Sequence, residues 1–353
     1  MRRPGLVRWP SLAGLIVAMA LGGPALAQCP GGYVDGHTHL MVTEVLGGGQ
    51  VEPNIGGASE AALGVMERLG MGALVVMPPP FTMGQDDRFD AEELALAAGA
   101  HPGRLYFLAG GGSLNPMIQQ AVAEGGVSEK MRRRFAARAK QIVALGARGF
   151  GEMAAEHLSF RPQHPYMAAP PDHPLFLLLA DLAAANGLPI DLHMEAVAQD
   201  MPLPEGLGST NPPQLRANLA AFERLLEHNR QARIIWAHAG WDNTGARDVA
   251  LCRRLLESHP NLYMSLKLDK RRGLPVNKPL DRQGGLKPEW LELVRAHPDR
   301  FILGSDHFFL AGGDQRQLPR RGPAMRKLLG LLPPGLARQV GCDNPRRLFG
   351  LGD

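Results

Sequence analysis

Eight short runs rich in apolar and β-branched residues recur along this chain, and each ends in a polar or glycine-rich turn. They are GGYVDGHTHL, MGALVVMPPP, RLYFLAGGG, GARGFGEM, LPIDLHME, ARIIWAHAG, NLYMSLKL and RFILGSDHF, the pattern of strands that are buried along most of their length. Helical patterns lie between them. AAFERLLEHNR sets Phe222, Leu225 and Leu226 on one helical face. LFLLLADLAAANG, residues 175–187, closes on Gly187, a residue suited to stopping a helix. Markers near the strand ends fall at His39, Met77, Ala109, Glu152, His193, His238, Lys267 and Asp306, spaced 29 to 45 residues apart. A strand, its crossover helix and two loops need ~30 residues, and strict alternation makes the strands parallel with right-handed crossovers. Eight such units close into a barrel of ~250 residues, which 353 residues accommodate with extensions. The expected fold is therefore α/β, a single-domain (β/α)8 TIM barrel. An open doubly wound sheet would want a phosphate-binding glycine motif after its first strand, and GHTHLMV is not one. The 43 glycines and 30 prolines are spread along the chain, as many turns would have them and a disordered tract would not.

Residues 1–27 stand apart. Arg2, Arg3 and Arg8 precede the apolar run SLAGLIVAMALGG, and Ala25-Leu26-Ala27 is a small-x-small cleavage pattern. We expect a signal peptide over residues 1–27, a mature start at Gln28, a barrel domain over 28–353, and export to the periplasm or medium. The apolar run is short of the ~20 residues that span a bilayer, so no membrane span is expected after cleavage. Gln28 before Cys29 does not suit a lipoprotein, and the surroundings of Arg2-Arg3 are poor for twin-arginine export. Residues 1–27 carry three arginines and no acid, so the remainder is +1 where the whole chain is +4. That balance implies no nucleic-acid surface. Cys29, Cys252 and Cys342 permit one disulfide in an oxidising compartment and lack the spacing of a zinc site.

In a closed barrel the C-terminal strand ends converge on one mouth, where barrel enzymes place their active sites. Strand one ends in His37-Thr38-His39, strand four in Glu152, strand five in His193, strand six in His238 and strand eight in Asp306. Alternation along a strand sends His37 and His39 to the same side, so both can reach one ion. A lone histidine or acid at a strand end is an ordinary structural residue or helix cap. Five strands supplying ligand-type residues at one level is a different matter, and it points to a metal centre.

This order, His-x-His, Glu, His, His and Asp on strands one, four, five, six and eight, resembles the amidohydrolase superfamily of metal-dependent barrels. VDGHTHL is similar to its opening motif, IIWAHAG and ILGSDHF to its strand-six and strand-eight motifs, and CDNPRRLFGL to the close of the amidohydrolase-related group called family two. The resemblance covers essentially the whole chain after residue 27. It implies that His37 and His39, with Asp306, bind the more buried metal, that His193 and His238 bind a second, and that Glu152 bridges them. Many members carry a carbamylated lysine at the bridging position; glutamate needs no modification. Family-two proteins commonly use one metal, held by the His-x-His pair, the strand-five histidine and the strand-eight aspartate. His238 would then polarise the substrate. The cofactor is one or two divalent ions, with zinc first for imidazole and carboxylate ligands and manganese, iron or nickel open. Such an ion brings the pKa of its water to about 7, and Asp306 is the candidate proton acceptor. A homodimer is implied by resemblance only.

Substrate contacts are expected from Lys267 at the end of strand seven and from Trp241, with Asp242 beside it, after the strand-six histidine. Arg271 and Arg272 read as a solvated basic pair. Arg161–Pro174 reads as a long loop after strand four, over the mouth or on the surface, with His157 and His164 on it, exposed or else touching substrate. His307 has the opposite parity to Asp306 and should point away from the metal. Pro78–Pro80 and Gly110–Gly112 read as rigid or tight loops. The expected activity is hydrolysis of a small ester, lactone, amide or phosphoester. A non-oxidative decarboxylase on the same scaffold is the alternative. A non-catalytic metal or solute binder is the third reading, and the full set of acid and base residues argues against it.

Overall fold

The computed structural model describes residues 29, 31–45, 51–85, 88–160, 165–208, 210–268, 276–312 and 321–352. The expected signal peptide, Gln28, His164, Arg271 and Arg272 lie outside them.

All eight expected strands form. They are β1 (Tyr33–Leu40), β2 (Met71–Met77), β3 (Leu105–Phe107, continued by Ala109–Gly110), β4 (Phe150–His157), β5 (Pro189–Met194), β6 (Arg233–Ala239), β7 (Leu262–Leu266) and β8 (Phe301–Leu303, followed by the short strand His307–Phe309). Each is parallel to the next, from β1–β2 and β2–β3 through β3–β4, β4–β5 and β5–β6 to β6–β7 and β7–β8. His307–Phe309 then pairs with Thr38, His39 and Leu40 of β1. The pairing therefore runs round all eight strands in chain order. Two strands are broken so that each half serves one neighbour. In β3 the halves flank Leu108. In β8 they flank Gly304–Asp306, where Asp306 takes a left-handed φ of 53° and its N–H still reaches His37 O at 2.8 Å.

The crossovers are α1 (Ile55–Leu69), α2 (Ala91–Ala100), the pair α3 (Leu114–Ala123) and α4 (Glu129–Ala144), α5 (Pro174–Ala185), α6 (Leu219–His228), α7 (Val249–Ser258) and α8 (Pro288–Ala296). α9 (Arg321–Leu331), α10 (Pro334–Arg338), a π turn (Gln339–Asp343) and α11 (Asn344–Phe349) follow β8. α6 buries Ala221, Phe222, Leu225 and Leu226, the stripe its sequence predicts. α5 ends before Gly187, which takes the left-handed φ of 64° that a helix stop requires.

Alternation along the strands divides the core in two. Outward residues such as Ile234 and Trp236 pack under the helices, with Trp236 5.0 Å from the Phe222 ring. The residues between them meet in a second cluster of Val34, Ala73, Val75, Met77, Ile235 and Ile302, closed by Leu348, Phe349 and Leu351 from the C-terminal segment. A disulfide joins Cys29, just before β1, to Cys342 in the π turn, and Cys252 stays buried and free on α7.

The segment after β4 differs from expectation. β4 runs on to His157, and Met167–Ala168 pairs antiparallel with Glu156 and His157. His157 is thus a buried strand residue, not an exposed loop residue, because its backbone is paired on this side and its ring packs on His193 at 4.3 Å. Among the described residues no helix is long and apolar enough to cross a membrane.

Candidate metal centre

The six residues expected as ligands meet at the C-terminal ends of the strands. His37 and His39 leave β1 on the same side, as period two demands. His37 Nδ1 donates to both oxygens of Asp191 on β5, each at 3.1 Å. His39 Nδ1 donates to Met77 O at 3.1 Å, and its Nε2 lies 3.0 Å from Asp306 Oδ1. A carbonyl and a carboxylate only accept, so each fixes a proton on Nδ1 and leaves Nε2 to face the centre.

Glu152 stands in the middle. Its Oε1 accepts from His193 Nδ1 at 2.8 Å and His238 Nε2 at 3.3 Å. Its Oε2 lies 3.4 Å from His39 Nε2 and 3.8 Å from His37 Nε2. The loops expected to be tight hold its backbone. Pro78 O accepts the Glu152 N–H at 3.2 Å, and a Cβ on Gly111 would come within 2.9 Å of Glu152 O and Pro78 O. His238 sits at φ 69° where the β6–β7 register shifts, so its ring turns into the centre.

Asp306 is gripped from the other side. Its Oδ2 lies 2.5 Å from Lys267 Nζ and 2.6 Å from Arg321 Nη1, and Arg321 also donates to its backbone carbonyl. Both cations lie over the Trp241 ring, Lys267 Nζ at 3.7 Å and Arg321 Cζ at 5.3 Å from its centroid. Lys267 is therefore buried against Asp306, and Trp241 is a shelf beneath two cations. Asp242 does not line this space. It is fully buried and ties its own loop, accepting from Gly245 N at 3.0 Å, Arg247 N at 3.2 Å and Asn277 Nδ2 at 2.6 Å. His307 turns to Phe309, with ring centroids 4.6 Å apart.

Electrostatics follow the geometry. Burial opposes charge on Glu152, but His37, His193 and His238 hold its carboxyl well below the usual range. Burial opposes charge on Asp306 too, and Lys267 and Arg321 override it. Burial would lower His37 and His193, yet Asp191 and Glu152 push the first up to about 9, and Glu152 and Glu195 do the same for the second. Burial and Lys267 drive His238 well below its ordinary value.

These residues fit a divalent ion. Three overlapping groups have ligand atoms within 4.8 Å of one another: His37, His238 and Asp306; His37, His39 and Glu152; and Glu152, His193 and His238. His37 Nε2 is buried without a hydrogen-bond partner, a loss of about 1–3 kcal/mol unless something electrophilic meets it.

The sequence reading missed Asp191, Arg321 and Phe308. A charged residue two before His193 in an otherwise apolar strand was the available signal for Asp191. Phe308 stacks on His39 with centroids 4.3 Å apart, and nothing local announced it or Arg321.

The amidohydrolase family model matches residues 34–351. The chain belongs to the amidohydrolase-2 family. This is a family of metal-dependent enzymes. Among solved structures, 2,6-dihydroxybenzoate decarboxylase from Rhizobium is 13% identical, with 91% of this chain and 99% of that one covered at a TM-score of 0.51. A probable 2-pyrone-4,6-dicarboxylic acid hydrolase from Acinetobacter baumannii is 12% identical over 90% and 99%, TM-score 0.49. A dihydroxybenzoic acid decarboxylase from Polaromonas, solved with bound manganese, is 13% identical over 82% and 85%, TM-score 0.46. At these identities the likeness concerns the fold, and the first of them supports the barrel. No curated protein sequence matches the chain.

Proposed function

We propose that this amidohydrolase-2 protein is an exported hydrolase of a small ester, lactone, amide or phosphoester, in which Glu152 would help to hold two divalent ions. The observation that carries this reading is the division of the Glu152 carboxylate, Oε1 toward His193 and His238 and Oε2 toward His39 and His37. His37, His39 and Asp306 would hold one ion, and His193 and His238 the other. Zinc suits this donor set. When bound, such ions acidify water to a pKa of about 7 and polarise a carbonyl or phosphoryl oxygen.

The chain's own groups handle the proton. Asp306 is kept ionised by Lys267 and Arg321 on Oδ2, which leaves Oδ1 on the histidine side to take the proton of the attacking water. The Lys267 ammonium, lowered by burial, lies 2.5 Å from the same carboxylate and can donate onward to the leaving group. Export is supported by the residue 1–27 pattern and by the Cys29–Cys342 disulfide, which suits an oxidising compartment.

The test is metal content with turnover. Purified protein should carry two ions per chain and Glu152→Ala one, and ¹⁸O from water should enter the product of an ester, lactone, phosphotriester or amide. One ion in both proteins removes the bridge. Carbon dioxide released from an aromatic acid without ¹⁸O uptake moves the protein to the decarboxylases.

A further inference from the structure

We infer that Asp191 is a positioning residue for the metal centre: it holds the His37 ring with its proton on Nδ1, so that Nε2 is the ligand atom. The inference rests on the metal-binding reading above and adds a residue to it.

Asp191 is fully buried on β5, two residues before His193 and so on the same face of the strand, one step deeper in the barrel. Among the described residues its carboxylate accepts hydrogen bonds only from His37 Nδ1, on both oxygens at 3.1 Å. A carboxylate buried at this depth is costly unless well paired, and an apolar residue would pack there without that cost. Room is also kept for it: a Cβ on Gly151 would stand 2.9 Å from Asp191 Cβ. The consequence appears at the far side of the same ring, where buried His37 Nε2 has no hydrogen-bond partner and points between Glu152 Oε2 at 3.8 Å and Asp306 Oδ1 at 4.0 Å. A metal-ligating imidazole carries one proton, and a carboxylate behind it both places that proton and makes the ring a stronger donor. His39 has a neutral backbone carbonyl in the same role. His37 has a side-chain carboxylate there instead.

The experiment titrates metal-free full-length protein with Zn²⁺ against a chromophoric chelator, for wild type, Asp191→Asn and Asp191→Ala, with thermal melts to confirm folding. Asp191→Ala should bind Zn²⁺ about 10–100-fold more weakly. Asp191→Asn should lose less, because its amide oxygen still accepts the Nδ1 proton. In the Zn²⁺-loaded wild type, that proton should give a downfield, slowly exchanging ¹H resonance that Asp191→Ala abolishes. This spectroscopic arm needs no variant for its first result. Undiminished Zn²⁺ affinity in folded Asp191→Ala, or a loaded wild type with no proton on His37 Nδ1, overturns this inference and leaves the hydrolase reading standing. Wild-type protein that takes up no Zn²⁺ overturns both.

Discussion

Replacing Cys29 and Cys342 together by alanine should lower stability by about 2–5 kcal/mol. The bond closes a loop of 313 residues. Chain entropy lost from the unfolded state, −2.1 − 1.5R ln n, is then about 19 cal/mol/K, or ~5.7 kcal/mol at 25 °C. That is an upper figure, since measured disulfides deliver ~0–5 kcal/mol. Alanine is the right replacement because both sulfurs are buried, and serine would add buried hydroxyls of its own. With unfolding entropy near ~2.1 cal/mol/K per residue, a chain of 353 residues loses about 1.3 °C per kcal/mol, so Tm should fall by roughly 3–7 °C. Calorimetry on unreduced protein measures this, and alkylation with mass spectrometry checks the chemistry. Native protein should take up no label, because Cys252 is buried and its thiol is pushed up to about 11 by burial. Unfolded, unreduced protein should take up one. Three labels would refute the pairing, and an unchanged Tm in the double variant would refute the entropy argument.

Other outcomes follow from local geometry. Gly112→Ala should cost more than about 3 kcal/mol or prevent folding, read by urea unfolding, because its Cβ would overlap the Phe89 carbonyl, a backbone atom that cannot swing aside. Glu223 is held below its ordinary value by Arg254, at 3.0 Å on both oxygens, and by His259. A depressed folded-state pKa contributes stability above the unfolded value, here near 4.5, and loses it as pH falls through the folded one. Glu223→Gln should therefore be less stable than wild type by under ~1 kcal/mol at pH 7, with the gap closing in melts taken well below pH 4.5.

The strand-end residues could be read in advance because a barrel turns sequence position into spatial position. Once eight runs alternate with helices, the end of each run lies at the mouth, and His37, His39, Glu152, His193, His238 and Asp306 need no further information to be gathered there. Residues off that rule were harder. The sequence puts His157 on a loop because nothing local shows that Met167–Ala168 returns to pair beside it. Position along the chain suggests that Asp242 lines the pocket, whereas its carboxylate ties the loop to Arg247, five positions on.

The sequence by itself determined the period of the strands, the count of eight and the donor types, all of which depend on neighbours within a few residues. The tertiary structure decided the pairings between distant residues: Asp191 with His37 across 154 positions, Lys267 and Arg321 on one oxygen of Asp306, and Cys29 with Cys342 rather than Cys252. Periodicity is a local property of the chain. Which nitrogen of His37 faces the centre, and which oxygens of Glu152 face which histidines, are set by contacts that exist only once the ring of strands has closed.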